Sequence, residues 1–243
     1  MSTELTTIIS DDFLALAKGS DLAEAMSANM IGGGGITAQD LIRVKTPTGG
    51  STVWRFEDIT GDVECKELAG IFVFWAAGGV LWPTENPSGA SPVLVTRDLK
   101  TARRMGDDCG DLDPDVLDKF RNEDGTYDWH GLCVAKGSPY GFGSGRNGGK
   151  RADEYRTIGL LRPEDTLPLM VTVKGGSFKS MLPFVTRLPV AHWRCIISLG
   201  LEKTTNNNGQ EFSRIQPKLI GQLDKEQGET VRQMFTEPLN QSL

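Results

Sequence analysis

The stretch HWRCIISLGLEKTTNNNGQEFSRIQPKL, residues 192–219, decides the fold. From His192 to Lys203 apolar and polar residues alternate, with Trp193, Cys195, Ile197, Leu199 and Leu201 on one face. A period of two is that of a half-buried strand. Asn206-Asn207-Asn208-Gly209 supplies turn chemistry, and Glu211 to Leu219 returns as a second strand, so the stretch reads as a β-hairpin with Lys203 and Arg214 near a polar tip. Its alternation places Arg194 opposite the apolar face, and the acids nearest the two tip cations are Glu202 and Glu211.

Upstream, Leu41 to Lys45 and Thr52 to Phe56 alternate around the turn-like TPTGGS and predict a first hairpin. Val63 to Trp75, rich in Val, Ile, Phe and Trp, is the candidate central strand, with Gly78 and Gly79 as a turn before Val80 to Trp82. The loop PTENPSGASP (83–92) precedes a short strand at Val93 to Thr96 and one or two helical turns at Leu99 to Met105. Residues 107–150 show much Asp and Gly and little periodicity, and read as a long excursion outside the sheet. Order resumes at Tyr155 to Leu161 and Leu167 to Lys174; Ser177 to Leu188 is a helix interrupted by Pro183, and Asp224 to Phe235 a closing helix. Ser20 can cap a helix through Met30, which the run Gly32 to Gly35 stops. Short strands, glycine-rich turns and few long helices predict a mainly β protein: an OB-like antiparallel β-barrel with long loop insertions and peripheral helices. The expected organisation is an acidic extension and Gly linker over residues 1–35, a barrel domain over 36–221 and a C-terminal helix and tail over 222–243.

Composition narrows function. Apolar residues at 38% and charged residues at 24% exclude wholesale disorder. The longest apolar stretch, Leu68 to Trp82, is about 15 residues and is broken by three glycines, short of the roughly 20 that cross a bilayer. The N-terminus, MSTELTTIISDDF, lacks a basic region and an apolar core, so the expectation is a cytoplasmic protein. Cys65, Cys109, Cys133 and Cys195 lie far apart and read as reduced thiols. His130 and His192 are the only histidines, which leaves His-based triads and multi-His metal centres almost nothing to draw on.

The net charge of −6 conceals a segregation: Lys136 to Gly221 holds thirteen Lys and Arg against six acids, a net +7, so the remainder carries −13, much of it between Asp107 and Asp128. A basic segment interleaved with aromatic residues suits nucleic acid, since cations hold phosphates and rings take unstacked bases. GFGSGRNGGKR (141–151) fails the Walker A pattern at Ser144 and Arg151. It matches GxGxxG through Gly143, Gly145 and Gly148 without a convincing strand before it or helix after it. It also reads as a loop that brings Arg146, Lys150 and Arg151 to a phosphate chain with Tyr140 and Phe142 available for stacking, or as a plain mobile loop. A zinc site can be drawn through Cys109, His130 and Cys133 but lacks a second close ligand pair. Asp107, Asp108, Asp111, Asp113 and Asp115 can be drawn as a two-metal nuclease centre, or as a solvated face. Within IFVFW (71–75), Phe72 and Phe74 share one face and Val73 and Trp75 the other, so one face is a candidate stacking platform.

Taken in order, GVLWPTENPSG, a Gly-Asp and cysteine loop, GFGSGRNGGKR, LPLMVTV, SFKSMLPFVTRL and the 193–219 hairpin resemble the single-stranded DNA-binding proteins of tailed phages and integrated elements, over roughly residues 40–235. The resemblance implies an OB fold, host cytoplasm, and non-sequence-specific binding of single-stranded DNA beside replication or recombination proteins, with no enzymatic activity and no cofactor. Such proteins often carry a CxxC pair and a later cysteine in a small zinc loop. Here only Cys133, with His130, matches and Ala152 stands at the later position, so no metal is expected. The expected contacts are Arg146, Lys150, Arg151, Lys174, Lys179, Arg194, Lys203 and Arg214 for phosphates, and Trp75, Tyr140, Phe142 and Phe212 for bases. The alternatives are an Asp-dependent nuclease and a phage structural or host-interaction protein that binds no nucleic acid.

Overall fold

A computed structural model describes residues 40–59, 61–85, 89–145, 148–206, 209–237 and 239; the expected helix at Ser20 to Met30, the Gly32 to Gly35 linker and Arg146 lie outside them. The chain is mainly β. Its strands are β1 (Arg43–Lys45), β2 (Trp54–Asp58), β3 (Gly61–Cys65), β4 (Glu67–Leu81), β5 (Leu94–Thr96), β6 (Thr101–Arg104), β7 (Tyr127–Asp128), β8 (Asp153–Leu161), β9 (Leu169–Lys174), β10 (Cys195–Thr205) and β11 (Glu211–Gln222). Among the described residues three α-helices accompany them: α1 (Pro114–Asp118), α2 (Phe178–Thr186) and α3 (Lys225–Val231), the last extended by a π turn at Arg232–Thr236. Nine strands form one sheet in the order β1-β9-β8-β4-β5-β6-β7, with β10 on β4 and β11 on β10; β2 and β3 form a separate pair.

The antiparallel barrel is corrected in two respects. The sheet is mixed, because β1 and β9 run parallel, and no closed barrel is present among the described residues. Between the continuation of β1 and strand β11 there is a single bridge, Thr48 to Phe212, rather than a ladder. Two compact units divide the chain, one running up to Trp75 and again from Thr157, the other Ala76–Arg156. No helix among the described residues is long and apolar enough to cross a membrane.

In the first unit the β10–β11 hairpin forms as expected, in register from Cys195 opposite Gln222 to Thr205 opposite Glu211, with a bulge at Ile196/Ile197. Ile197 and Leu199 join Val44, Phe72, Ile158, Leu160, Val171, Val173 and Ile215 in the core. The other face of β10 is also buried: Ile196 has no exposure and Ser198 only 2%. The Ser198 hydroxyl donates to the Glu67 carboxylate at 2.6 Å; the C-terminal helical segment is tied to β4, where the Thr236 hydroxyl donates to the Val73 carbonyl at 2.5 Å, and α3 carries a capping box through Asp224 and Gln227. The outer edge of β11 is tied to the start of α2, where the Ile215 N–H donates to the Ser177 hydroxyl at 3.1 Å and the Ser180 hydroxyl donates to the Ile215 carbonyl at 2.5 Å.

The expected first hairpin does not form. Strand β1 pairs with β9 through Val44 and Val171, and β2 pairs with β3. Gly49 and Gly50 are both left-handed, at φ 68° and 73°; a side chain would strain that conformation, and the pair carries the chain away from β1 instead of folding it back. Trp54, on β2, is fully buried, and its indole donates to the Leu199 carbonyl at 2.7 Å.

In the second unit Gly78 and Gly79 make no turn but lie inside β4. Rings occupy the space a side chain would need: a Cβ at Gly78 would stand 2.5 Å from the Tyr155 ring, and one at Gly79 2.5 Å from Trp129. Leu99 to Met105 is not helical. The Asp98 carboxylate accepts from the Lys100 and Thr101 N–H groups at 2.8 and 2.9 Å, Leu99 takes φ 59°, and the chain reverses into the β5–β6 hairpin. The excursion at 107–150 has structure of its own: it supplies α1 and β7, and Leu112, Leu117, Tyr127, Trp129, Leu132 and Cys133 make a second core with Leu81 and Leu94.

Candidate nucleic-acid interface

The glycine-rich loop is pinned at its base. Phe142 bridges to Lys150, and the N–H groups of Gly143 and Gly145 both donate to the Gly149 carbonyl at 3.0 Å. Gly143 and Gly148 are left-handed, at φ 93° and 72°, which is why the loop can reverse so tightly. The chain then enters strand β8, so the GxGxxG match has no helix N-terminus to offer a pyrophosphate. Phe142 projects from this base and is 85% exposed. The Lys150 ammonium stands 5.6 Å from its ring centroid and is itself held by Glu154 at 2.5 Å.

The other aromatic candidates are more committed. Trp75 is half-buried, edge-on to Phe72 at 6.2 Å. The Tyr140 hydroxyl accepts from the Asp113 N–H at 3.0 Å, and burial raises its pKa. Phe212 is half-buried, with its ring over Gly176.

Among the cations, Arg151 is occupied within the second unit: its side chain is 6% exposed, pairs with Asp111 and donates to the Trp82 carbonyl at 3.2 Å. Arg194 reaches the Leu223 carbonyl through Nε and Nη2, at 3.2 and 3.1 Å, and its stem lies against Gly228. Lys203 pairs with Glu211 at 2.7 Å, and Arg214 with Glu202. The tip cations are therefore paired across the hairpin. Lys174 ends β9 and Lys179 lies on α2, both exposed.

Ion pairs within each unit offset part of the charge segregation seen in the sequence. Asp58, Glu67 and Asp111, all from outside the basic segment, pair with Arg162, Lys218 and Arg151. Two cations escaped the sequence reading, Arg43 and Lys45. They flank buried Val44 on β1 with exposed side chains, and the alternation already recognised in that strand was the signal that could have found them.

His130 is exposed while Cys133 is fully buried. No group of three His, Cys, Asp or Glu side chains among the described residues is arranged to hold a metal ion. Asp113 instead caps α1, accepting from the Asp115 N–H, and Asp108 accepts from that of Gly110. All four cysteines are free, and burial pushes Cys133 up to about 12 and Cys195 up to about 11, which leaves both as thiols. No family model matches this chain, and no curated protein or solved structure is significantly similar to it.

Proposed function

We propose that this chain binds single-stranded DNA without reading its sequence, in phage replication or recombination. Phe142 carries the reading. A Phe ring 85% exposed on a loop whose base is hydrogen-bonded gains little burial from folding where it stands, and a ring beside a lysine is a platform on which an unpaired base of any kind can stack. The order of motifs that resembles phage single-stranded DNA-binding proteins supports the same reading. So does the arc β1-β9-β8-β4-β10-β11, whose outer strands meet at the Thr48–Phe212 bridge; we read this arc as an OB-like barrel left open along one seam.

The test is titration of a labelled oligo(dT) with the protein at several salt concentrations, followed by anisotropy, beside a duplex of equal length. The single strand is expected to bind more tightly, with log affinity falling linearly as log salt rises. Phe142→Ala should weaken binding roughly fivefold to a hundredfold, as loss of one stacked base does. Equal affinity for duplex and single strand would overturn the proposal.

A further inference from the structure

Three segments distant in sequence meet beside the Thr48–Phe212 bridge in the first unit. Parallel register sets Lys45 opposite Thr172, and the Thr46 hydroxyl donates to the Thr172 carbonyl at 2.8 Å, holding the chain beyond β1 against β9. Lys174 lies two residues further along the same face of β9, exposed, and leads into Gly175 and Gly176, the latter beneath the Phe212 ring. Gly50 abuts the aliphatic stem of Lys203, where a Cβ would stand 2.9 Å from Cγ. Lys45, Lys174 and Lys203 thus come from three places to one seam, with a half-buried aromatic ring among them.

We propose that this seam is a binding site for the sugar–phosphate backbone of a single strand, with Arg43 and Lys45 as its leading contacts; the inference rests on the function proposed above and extends it to residues outside the glycine-rich loop. On β1 the burial pattern is exposed, buried, exposed: Val44 enters the core, and Arg43 and Lys45 project from the opposite face about 7 Å apart. Neither enters an ion pair among the described residues, in contrast to Lys203 and Arg214, which are held by Glu211 and Glu202. An unneutralised cation releases counterions from a phosphate on binding, whereas a paired one must first give up its carboxylate. Gly49 and Gly175 are exposed, with nothing within 4 Å of where a Cβ would stand, and leave bare backbone near the seam, which permits close approach of a chain. The exposed large apolar side chains, Ile59, Met105, Val134, Phe142, Leu182 and Leu219, all lie outside these three segments. The seam therefore offers charge and a ring without the apolar surface that insertion into lipid requires.

The experiment compares wild type, Phe142→Ala and the double variant Arg43→Gln/Lys45→Gln in oligo(dT) titrations over a range of salt, with inorganic polyphosphate as competitor. Both substituted side chains are exposed and Val44 is untouched, and a urea unfolding curve for each variant verifies the fold. The double variant is expected to bind less tightly at low salt and to shallow the slope of log affinity against log salt by about 1.4, or roughly 0.7 for each phosphate no longer neutralised. Phe142→Ala should weaken binding at constant slope. An unchanged slope in the folded double variant, with wild type still binding, overturns the seam and leaves the proposed function standing. Failure of wild type to bind oligo(dT) at all removes both. Polyphosphate competing as well as oligo(dT) of equal charge would show a surface for polyanions in general and overturn the assignment to a nucleic-acid backbone.

Discussion

Arg214 and Glu202 stand directly opposite each other on β11 and β10, and the guanidinium closes on the carboxylate through Nε, at 2.5 Å, and Nη2. About a third of each side chain remains exposed, 33% and 37%, so the pair contributes only about 0.2–1 kcal/mol to stability. Its larger effect is on availability. Glu202→Gln should free Arg214, tightening single-strand binding and steepening the salt slope by about 0.7, the increment of one further phosphate. Arg214→Ala should leave the slope close to that of wild type. Salt titrations of the two variants check both outcomes, and a steeper loss in Arg214→Ala would mean that the cation leaves Glu202 for a phosphate.

Arg151 is expected to behave as a structural residue. Arg151→Met leaves the Trp82 carbonyl without its donor in a side-chain site that is 6% exposed. The urea midpoint should fall by the equivalent of about 1–3 kcal/mol, while the salt slope for oligo(dT) stays unchanged.

Gly79→Ala should destabilise by about 1–3 kcal/mol, the usual cost of overpacking. The new methyl would stand 2.5 Å from fully buried Trp129 and 3.0 Å from Thr96, neither free to move aside. Chemical denaturation checks this, and a substitution that cost nothing would show that Trp129 repacks freely.

His192 makes stability depend on pH. Burial against Phe72 and Trp193 lowers its pKa, and a hydrogen bond with the Val73 main chain offsets this only in part. In the unfolded chain the imidazole keeps its ordinary value near 6.5, so below that pH the unfolded state binds more protons than the folded one. The stability conferred by neutral His192 is complete above about 6.5 and falls as pH drops towards the lower folded value, by at most about 1.4 kcal/mol per pH unit. Urea midpoints between about pH 7 and about pH 5.5 should shift less in His192→Phe than in wild type. An equal shift in both would assign the effect to other groups.

What the sequence made legible was local. The β10–β11 hairpin could be read because alternation and its Asn-Gly turn both lie within 28 consecutive residues. The pairing of Arg43–Lys45 with Met170–Thr172 could not, since parallel partners about 125 positions apart leave no local mark. Gly78 and Gly79 resembled a turn because the rings that require them, Tyr155 and Trp129, are distant in sequence. Cations were counted without their partners, and Asp111, Glu202 and Glu211 change what Arg151, Arg214 and Lys203 can do. Of the expected site, Phe142 and Lys150 do come together; the alternation of Leu41 to Lys45 already implied Arg43 and Lys45, and the burial of Val44 puts both on the outer face.

The serine contacts on β11 bear on how this chain behaves when crowded. A strand at a sheet margin is ordinarily a template on which a neighbouring molecule can add its own strand and begin an aggregate. Ile215 has already spent its outward N–H on Ser177 and its carbonyl on Ser180. Two residues on, Pro217 has no N–H to give, and the bulge near Leu219 and Gly221 breaks the spacing that a continuous intermolecular ladder would need. Many copies could therefore be crowded side by side without their sheets fusing.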